Sequence, residues 1–210
     1  MFINITEFKK LLKAAYKGSG LIVGNLDGGL IVTNVAGLWG VRVDCDFLPN
    51  KLKAALIELI GDLPEDGEVC SYQTDCVQTE ADLGRFDYLG RWKQAKDYAV
   101  QTPFILTTKW NEFVMMQVHS SMELRPIARL YVDLISTKDL DHQNESMPGN
   151  PSYARGTLYW KNGTMIYWAG TSILNDDLEE KVIPRLAFLD CFKNEIILRD
   201  GENLPFDEEE

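Results

Sequence analysis

Between Leu21 and Thr33 the chain places two apolar runs, Leu21-Ile22-Val23 and Leu30-Ile31-Val32-Thr33, on either side of Asn25-Leu26-Asp27-Gly28-Gly29. A two-residue turn whose twist matches its strands requires positive φ angles, and Asp-Gly supplies them. Two antiparallel strands therefore follow directly, and the rest of the fold must be built around a sheet.

The flanking residues extend this frame. Met1 to Ile5 are short, apolar and suited to a strand, and Thr6 offers a hydroxyl to cap a helix. Phe8, Leu11, Leu12 and Ala15 fall at i, i+3, i+4, i+7, predicting a helix over 7–17 that Gly18 ends in a left-handed turn. After Gly37, the residues Trp39, Val41, Val43, Cys45 and Phe47 alternate with Gly40, Arg42, Asp44 and Asp46, a third strand with one buried and one wet face. Pro49 suits a helix's first turn, and Leu52, Ala55, Leu56, Leu59 and Ile60 predict a second helix over 50–60, closed by Gly61. Residues 1–60 thus read strand, helix, three strands, helix.

Beyond this point the pattern weakens. Strands are expected near 68–73 and 76–80, and the basic, aromatic stretch from Arg85 to Tyr98 is ambiguous. Phe104 to Thr107 and Phe113 to His119 read as strands, while Leu124, Ile127, Ala128, Tyr131 and Ile135 read as a helix face with Pro126 in its first turn. Residues 137–155, holding Pro148, Gly149 and Pro151, predict a long polar loop with room for motion. Thr157 to Lys161 and Thr164 to Trp168 flank Asn162-Gly163, a second hairpin signal, and Asp176 can cap a short helix that Pro184 interrupts. The class is α+β, with antiparallel sheets carrying helices on one face. A length of 210 residues accommodates one large domain or two small ones; the preferred division is 1–100 and 104–210.

Charge narrows the function. With 21 basic and 32 acidic residues the formal net charge is -11, which argues against coating nucleic acid or anionic membrane by bulk attraction, so any such contact must be a local patch. The tail Phe206 to Glu210 adds to the excess and is expected to be solvated. Neither a signal-peptide pattern nor a long apolar run is present, and Cys45, Cys70, Cys76 and Cys191 are too scattered to staple a fold of this size. A cytoplasmic protein with reduced thiols is the expectation, one in which the sequons at Asn4, Asn144 and Asn162 go unused.

Signs of chemistry are sparse. Cys70 and Cys76 lack the paired spacing of a zinc site, and His119 and His142 form no paired-His motif. Asp44 and Asp46 would share one strand face but lack a third acidic ligand, and Ser120 and Ser121 lack the glycine frame of a nucleophile elbow. Neither metal, cofactor nor catalytic residue is expected. Arg85, Arg91, Trp92 and Lys93 form a candidate contact for nucleic acid or a partner, since aromatic faces stack on bases while cations meet phosphate; aromatics packed inward are the competing account. Trp160, Tyr167 and Trp168 are expected to pack on a sheet.

The order built from Phe2 to Ile5, Glu7 to Lys17, the Asp27-Gly28 hairpin, Leu30 to Val43 and the Leu48-Pro49 entry to the next helix resembles the opening of a DNA sliding-clamp domain. The resemblance implies βαβββ units, helices that present lysines to the DNA backbone, and rings assembled from several domains, hence a homo-oligomer for a chain this short. Lys9, Lys13 and Lys17 recur at i, i+4, i+8 with Lys10 beside them, and Lys51 and Lys53 extend the set to the second helix. A solvated helix surface accounts equally for such a stripe. The expectation is a noncatalytic protein associating with duplex DNA or a replication partner, and the alternative is a protein–protein adaptor.

Overall fold

Asn4 opens the first helix. In this computed structural model, which describes residues 1–76, 78–81, 88–174, 178–186, 189–192, 198–199 and 202–203, the Asn4 carboxamide oxygen accepts from the N–H groups of Thr6 and Glu7, and α1 runs Ile5–Lys17. The helix therefore starts earlier than the Thr6 cap predicts, because Ile5, one turn before Phe8, joins the buried stripe of Phe8, Leu12 and Ala15. The expected strand at 1–5 reduces to one antiparallel bridge, Ile3 to Ile135. Gly18 does not take the left-handed turn (φ -106°); Gly20 does, at φ 103°.

The hairpin forms as predicted. β1 (Leu21–Leu26) and β2 (Gly29–Asn34) pair with Leu26 opposite Gly29, and Asp27 and Gly28 close the turn at φ 49° and 68°. β3 (Trp39–Asp44) is shorter than its alternation suggests. The Cys45 N–H is taken by the Gly28 carbonyl at 2.8 Å, which pulls the chain off the ladder into a single 3-10 turn and leaves Cys45 and Phe47 exposed. Asp44 and Asp46 consequently do not share a strand face. α2 (Asn50–Ile60) matches its prediction and buries Leu52, Ala55 and Leu56.

β4 (Val69–Tyr72), β5 (Thr79–Glu80), α3 (Tyr88–Gln94), β6 (Asp97–Thr107) and β7 (Glu112–Val118) follow. The helix expected from Leu124 is instead β8 (Leu124–Ala128) followed by a single turn, α4 (Arg129–Val132). Pro126 sits opposite Met115 and needs no donor, because β8 ends the described sheet and the Pro126 carbonyl accepts from Ser172 on its outer side at 2.7 Å. β9 (Ser152–Ala154), β10 (Thr157–Lys161) and β11 (Met165–Gly170) complete the main sheet. A π-type turn, Leu178–Val182, leads into α5 (Ile183–Leu186), where Pro184 is tolerated in the first turn, and β12 (Leu198–Arg199) pairs with β13 (Glu202–Asn203). Asp176 and the acidic tail lie outside the described residues.

The eleven strands run in the order β5-β4-β1-β2-β3-β11-β10-β9-β6-β7-β8, every pairing antiparallel. β11, late in the chain, thus joins β3 from its first quarter. Alternation gives the sheet two apolar faces. Leu21, Val23, Leu30, Val32, Met165 and Tyr167 meet α1 and α2, whereas Ile22, Ile31, Ile166 and Trp168 meet α3 on the other side. Two helices therefore share one face as expected, and a third covers the other. The long loop is pinned: the Asp139 and Glu145 side chains are 4% exposed, Asp139 receives Lys51 and the Ile5 N–H, and Glu145 receives the Met1 ammonium and Thr164.

Candidate nucleic-acid interface

α1 and α2 lie side by side because both bury one stripe in the same core, Phe8, Leu12 and Ala15 from the first and Leu52 and Leu56 from the second. The outward sides carry Lys9, Lys10, Lys13, Lys17, Lys51 and Lys53 against only Glu7 and Glu58. Six cations and two anions leave four net positive charges on a helix pair belonging to a chain of net charge -11. The six predicted lysines thus all lie on the two helices that pack on one face of the sheet.

The structure also shows what they touch. The Glu58 carboxylate from the last turn of α2 receives Lys9 on one oxygen and Lys13 on the other, the second at 3.0 Å. Hydrogen bonds from Lys9 and then Lys13, reinforced by their charges, hold the Glu58 carboxyl below its ordinary range. Lys10 pairs with Glu7 one turn back at 2.7 Å, and Lys51 reaches Asp139 at 2.7 Å. Lys17 and Lys53 are exposed and have no ion-pair partner among the described residues.

The second candidate group is not brought to this face. Arg91, Trp92 and Lys93 lie on α3, across the sheet from α1 and α2, and Arg85 is outside the described residues. The Arg91 guanidinium stands 5.0 Å over the Tyr88 ring, itself stacked on Trp168 at 3.6 Å, and Lys161 stands 4.8 Å over Trp92. These cations cover aromatic core edges. Trp160, Tyr167 and Trp168 are buried, as expected of residues packed on a sheet.

Elsewhere, Cys70 is buried on β4 while Cys76 is exposed, and His119 is stacked on Tyr98 with Phe192 at its edge. Ser120 donates to Asp97 with no imidazole between them. Two features escaped the sequence reading. Glu58 is one, since its partners are 45 and 49 residues away. The other is Trp110, 81% exposed at the β6–β7 turn beside a cleft of about 520 Å³ lined by Glu112, Arg129, Leu130 and Asp133. Its signal was a tryptophan in the short link between two predicted strands, a position that points outward.

No protein-family model matches the sequence, and no curated protein does. Among solved structures the chain bears a weak resemblance to a DNA polymerase III subunit beta DnaN sliding clamp from Bartonella birtlesii LL-WM9, at 9% identity and a TM-score of 0.22. The alignment covers 83% of this chain and 66% of that one, so this chain spans just under two thirds of the clamp subunit's length. No helix among the described residues is long and apolar enough to cross a membrane.

Proposed function

We propose that this chain is a noncatalytic, cytoplasmic binding protein that associates with duplex DNA through α1 and α2, alone or as a homo-oligomer with a replication partner. One observation carries the reading: the concentration of net positive charge on a helix pair within an otherwise acidic chain. The order helix, three strands, helix over residues 5–60, which is the part of the clamp-like pattern present in the fold, supports it, and four free cysteines fit a reducing compartment. At about 1.5 Å rise per residue, Lys9, Lys13 and Lys17 stand about 6 Å apart along α1, whereas a DNA strand offers a phosphate about every 3.4 Å of axis. Such a stripe contacts backbone without reading bases, and the acidic remainder discourages adhesion elsewhere.

The test is the anisotropy of a labelled duplex across a salt series. Wild type is expected to show log Kd varying with log salt at about 0.9 per phosphate engaged. Replacing Lys9, Lys13 and Lys17 by Glu should abolish that binding while circular dichroism stays unchanged; binding equal to wild type sinks the proposal.

Trp110 favours a second reading, a protein–protein adaptor without nucleic acid. A tryptophan 81% exposed beside a cleft holding Arg129 and Leu130 has the composition of an interface anchor. That reading expects no duplex binding even at low salt.

A further inference from the structure

We propose that Lys9 and Lys13 form a single-phosphate subsite which Glu58 occupies in the free protein, so that Glu58 is a built-in competitor of the DNA backbone. The inference rests on the reading of α1 and α2 as the DNA-binding face and names what regulates that face.

The geometry is that of a two-pronged anion site. Two ammonium groups one helical turn apart each meet a different oxygen of one carboxylate. A phosphodiester likewise offers two terminal oxygens sharing one negative charge, so it can take the same place without rearranging either lysine. Nothing within α2 explains why the carboxylate sits there. Glu58 lies in the last helical turn, at the negative end of the helix dipole, and that turn contains no basic residue. The lysines of α1 hold it.

Displacement is feasible because the arrangement is on the surface. The Glu58 side chain is 50% exposed, Lys9 36% and Lys13 42%, so the carboxylate can swing into water as a phosphate enters. Glu7 provides an internal comparison. It pairs with Lys10 on its own helix at i, i+3 and touches neither Lys9 nor Lys13. Neutralising either glutamate changes the net charge equally, but only Glu58 vacates the two-lysine site.

The experiment compares wild type, Glu58→Gln, Glu7→Gln and Glu58→Gln in a Lys9→Ala/Lys13→Ala background, using a labelled duplex at several salt concentrations, with folding checked by circular dichroism. Two exposed ion pairs released together predict duplex binding about 3- to 10-fold tighter for Glu58→Gln. Its salt slope should steepen by about 0.9 for each phosphate gained. Glu7→Gln should gain less than half as much, and the gain should vanish without Lys9 and Lys13. Binding by Glu58→Gln alone, with none by wild type, supports the inference in its strongest form. Equal gains for the two glutamine variants, or no gain over a wild type that binds, overturn the subsite and leave the DNA-binding reading standing. An absence of binding in every variant, Glu58→Gln included, overturns both.

Discussion

Replacing Gly40 by alanine tests the seam that joins early and late strands. Gly40 lies on β3 opposite Thr33 of β2 and Trp168 of β11. A methyl group there would stand 2.3 Å from Trp168 Cζ2, 2.7 Å from the Val32 carbonyl oxygen and 2.8 Å from Thr33 Cβ. None of these can yield cheaply. Trp168 is fully buried and backed by Tyr88 at 3.6 Å, the carbonyl belongs to the ladder, and Thr33 is tied by its hydroxyl to the Trp39 carbonyl at 2.6 Å. Overpacking costs about 1–3 kcal/mol, and three such contacts place this site near about 3, less about 0.5–1 kcal/mol for the stiffer unfolded chain, leaving about 2. For a chain of this size that lowers Tm by about 4–8 °C. Urea unfolding followed by tryptophan fluorescence measures it, with Gly163→Ala as reference, since a methyl at Gly163 meets open space. Gly163→Ala is expected to be neutral or slightly stabilising. A Gly40→Ala midpoint equal to that of Gly163→Ala would refute the packing of β11 against β3.

Burial pushes the Asp139 carboxyl up, but hydrogen bonds from Lys51 and the Ile5 N–H outweigh it and hold the group below its ordinary 3.8. Its contribution to stability is therefore complete above that value and lost as pH falls through the lower native one. Asp139→Asn should be less stable at neutral pH and lose less on acidification, and superimposable acid-unfolding profiles would contradict the assignment. Of the five tryptophans, Trp39, Trp160 and Trp168 are at most 5% exposed while Trp110 is 81% exposed. Trp110→Ala should thus remove most acrylamide-quenchable emission while moving stability by less than about 0.5 kcal/mol; undiminished quenching would mean that the tip is covered.

What was legible in the sequence is what local periodicity encodes. α1, α2 and the Asp27-Gly28 hairpin each depend on contacts within a few residues, and their patterns had one interpretation. The stretch from Leu124 had two, because Leu124, Ile127, Ala128 and Tyr131 match a helical stripe, yet the pairing of β8 with β7 buries Leu124, Pro126 and Ile127. Asn162-Gly163 marked a hairpin correctly but by another mechanism. Asn162 is buried, its Oδ1 accepts from the Thr164 and Met165 N–H groups at 3.0 Å, and its Nδ2 donates to the Ser146 carbonyl at 2.8 Å, so the side chain builds the turn. Gly40 was assigned to a wet face because glycine carries no hydropathy signal and its neighbour Trp168 is far along the chain. The lysines were readable for the same reason as the helices. Their shared anion was not, since only tertiary packing brings Glu58 to α1.

Under the proposed reading of α1 and α2 as a DNA-binding face, the charge arithmetic accounts for a polyanion site on an acidic chain. Apart from α1 and α2, the chain holds 15 basic and 30 acidic residues, a net of -15 that repels DNA at long range. That repulsion reaches only as far as screening allows, about 8 Å at physiological ionic strength and about 30 Å at 0.01 M. Lysines in contact with phosphate would act within the shorter distance, whereas acidic residues outside α1 and α2 that do not touch the duplex would act across the longer one. Moderate salt therefore mutes the remainder more than the patch, and very low salt restores its opposition. A stripe neutralised internally by Glu58 adds a second filter, because a ligand must then supply an anion that two lysines prefer to a carboxylate already in place. On that reading selectivity would come from the short range of a few cations set against the long range of many anions, and the comparison of Lys9, Lys13 and Lys17 variants would be most discriminating at the ionic strength where only the first of these is felt.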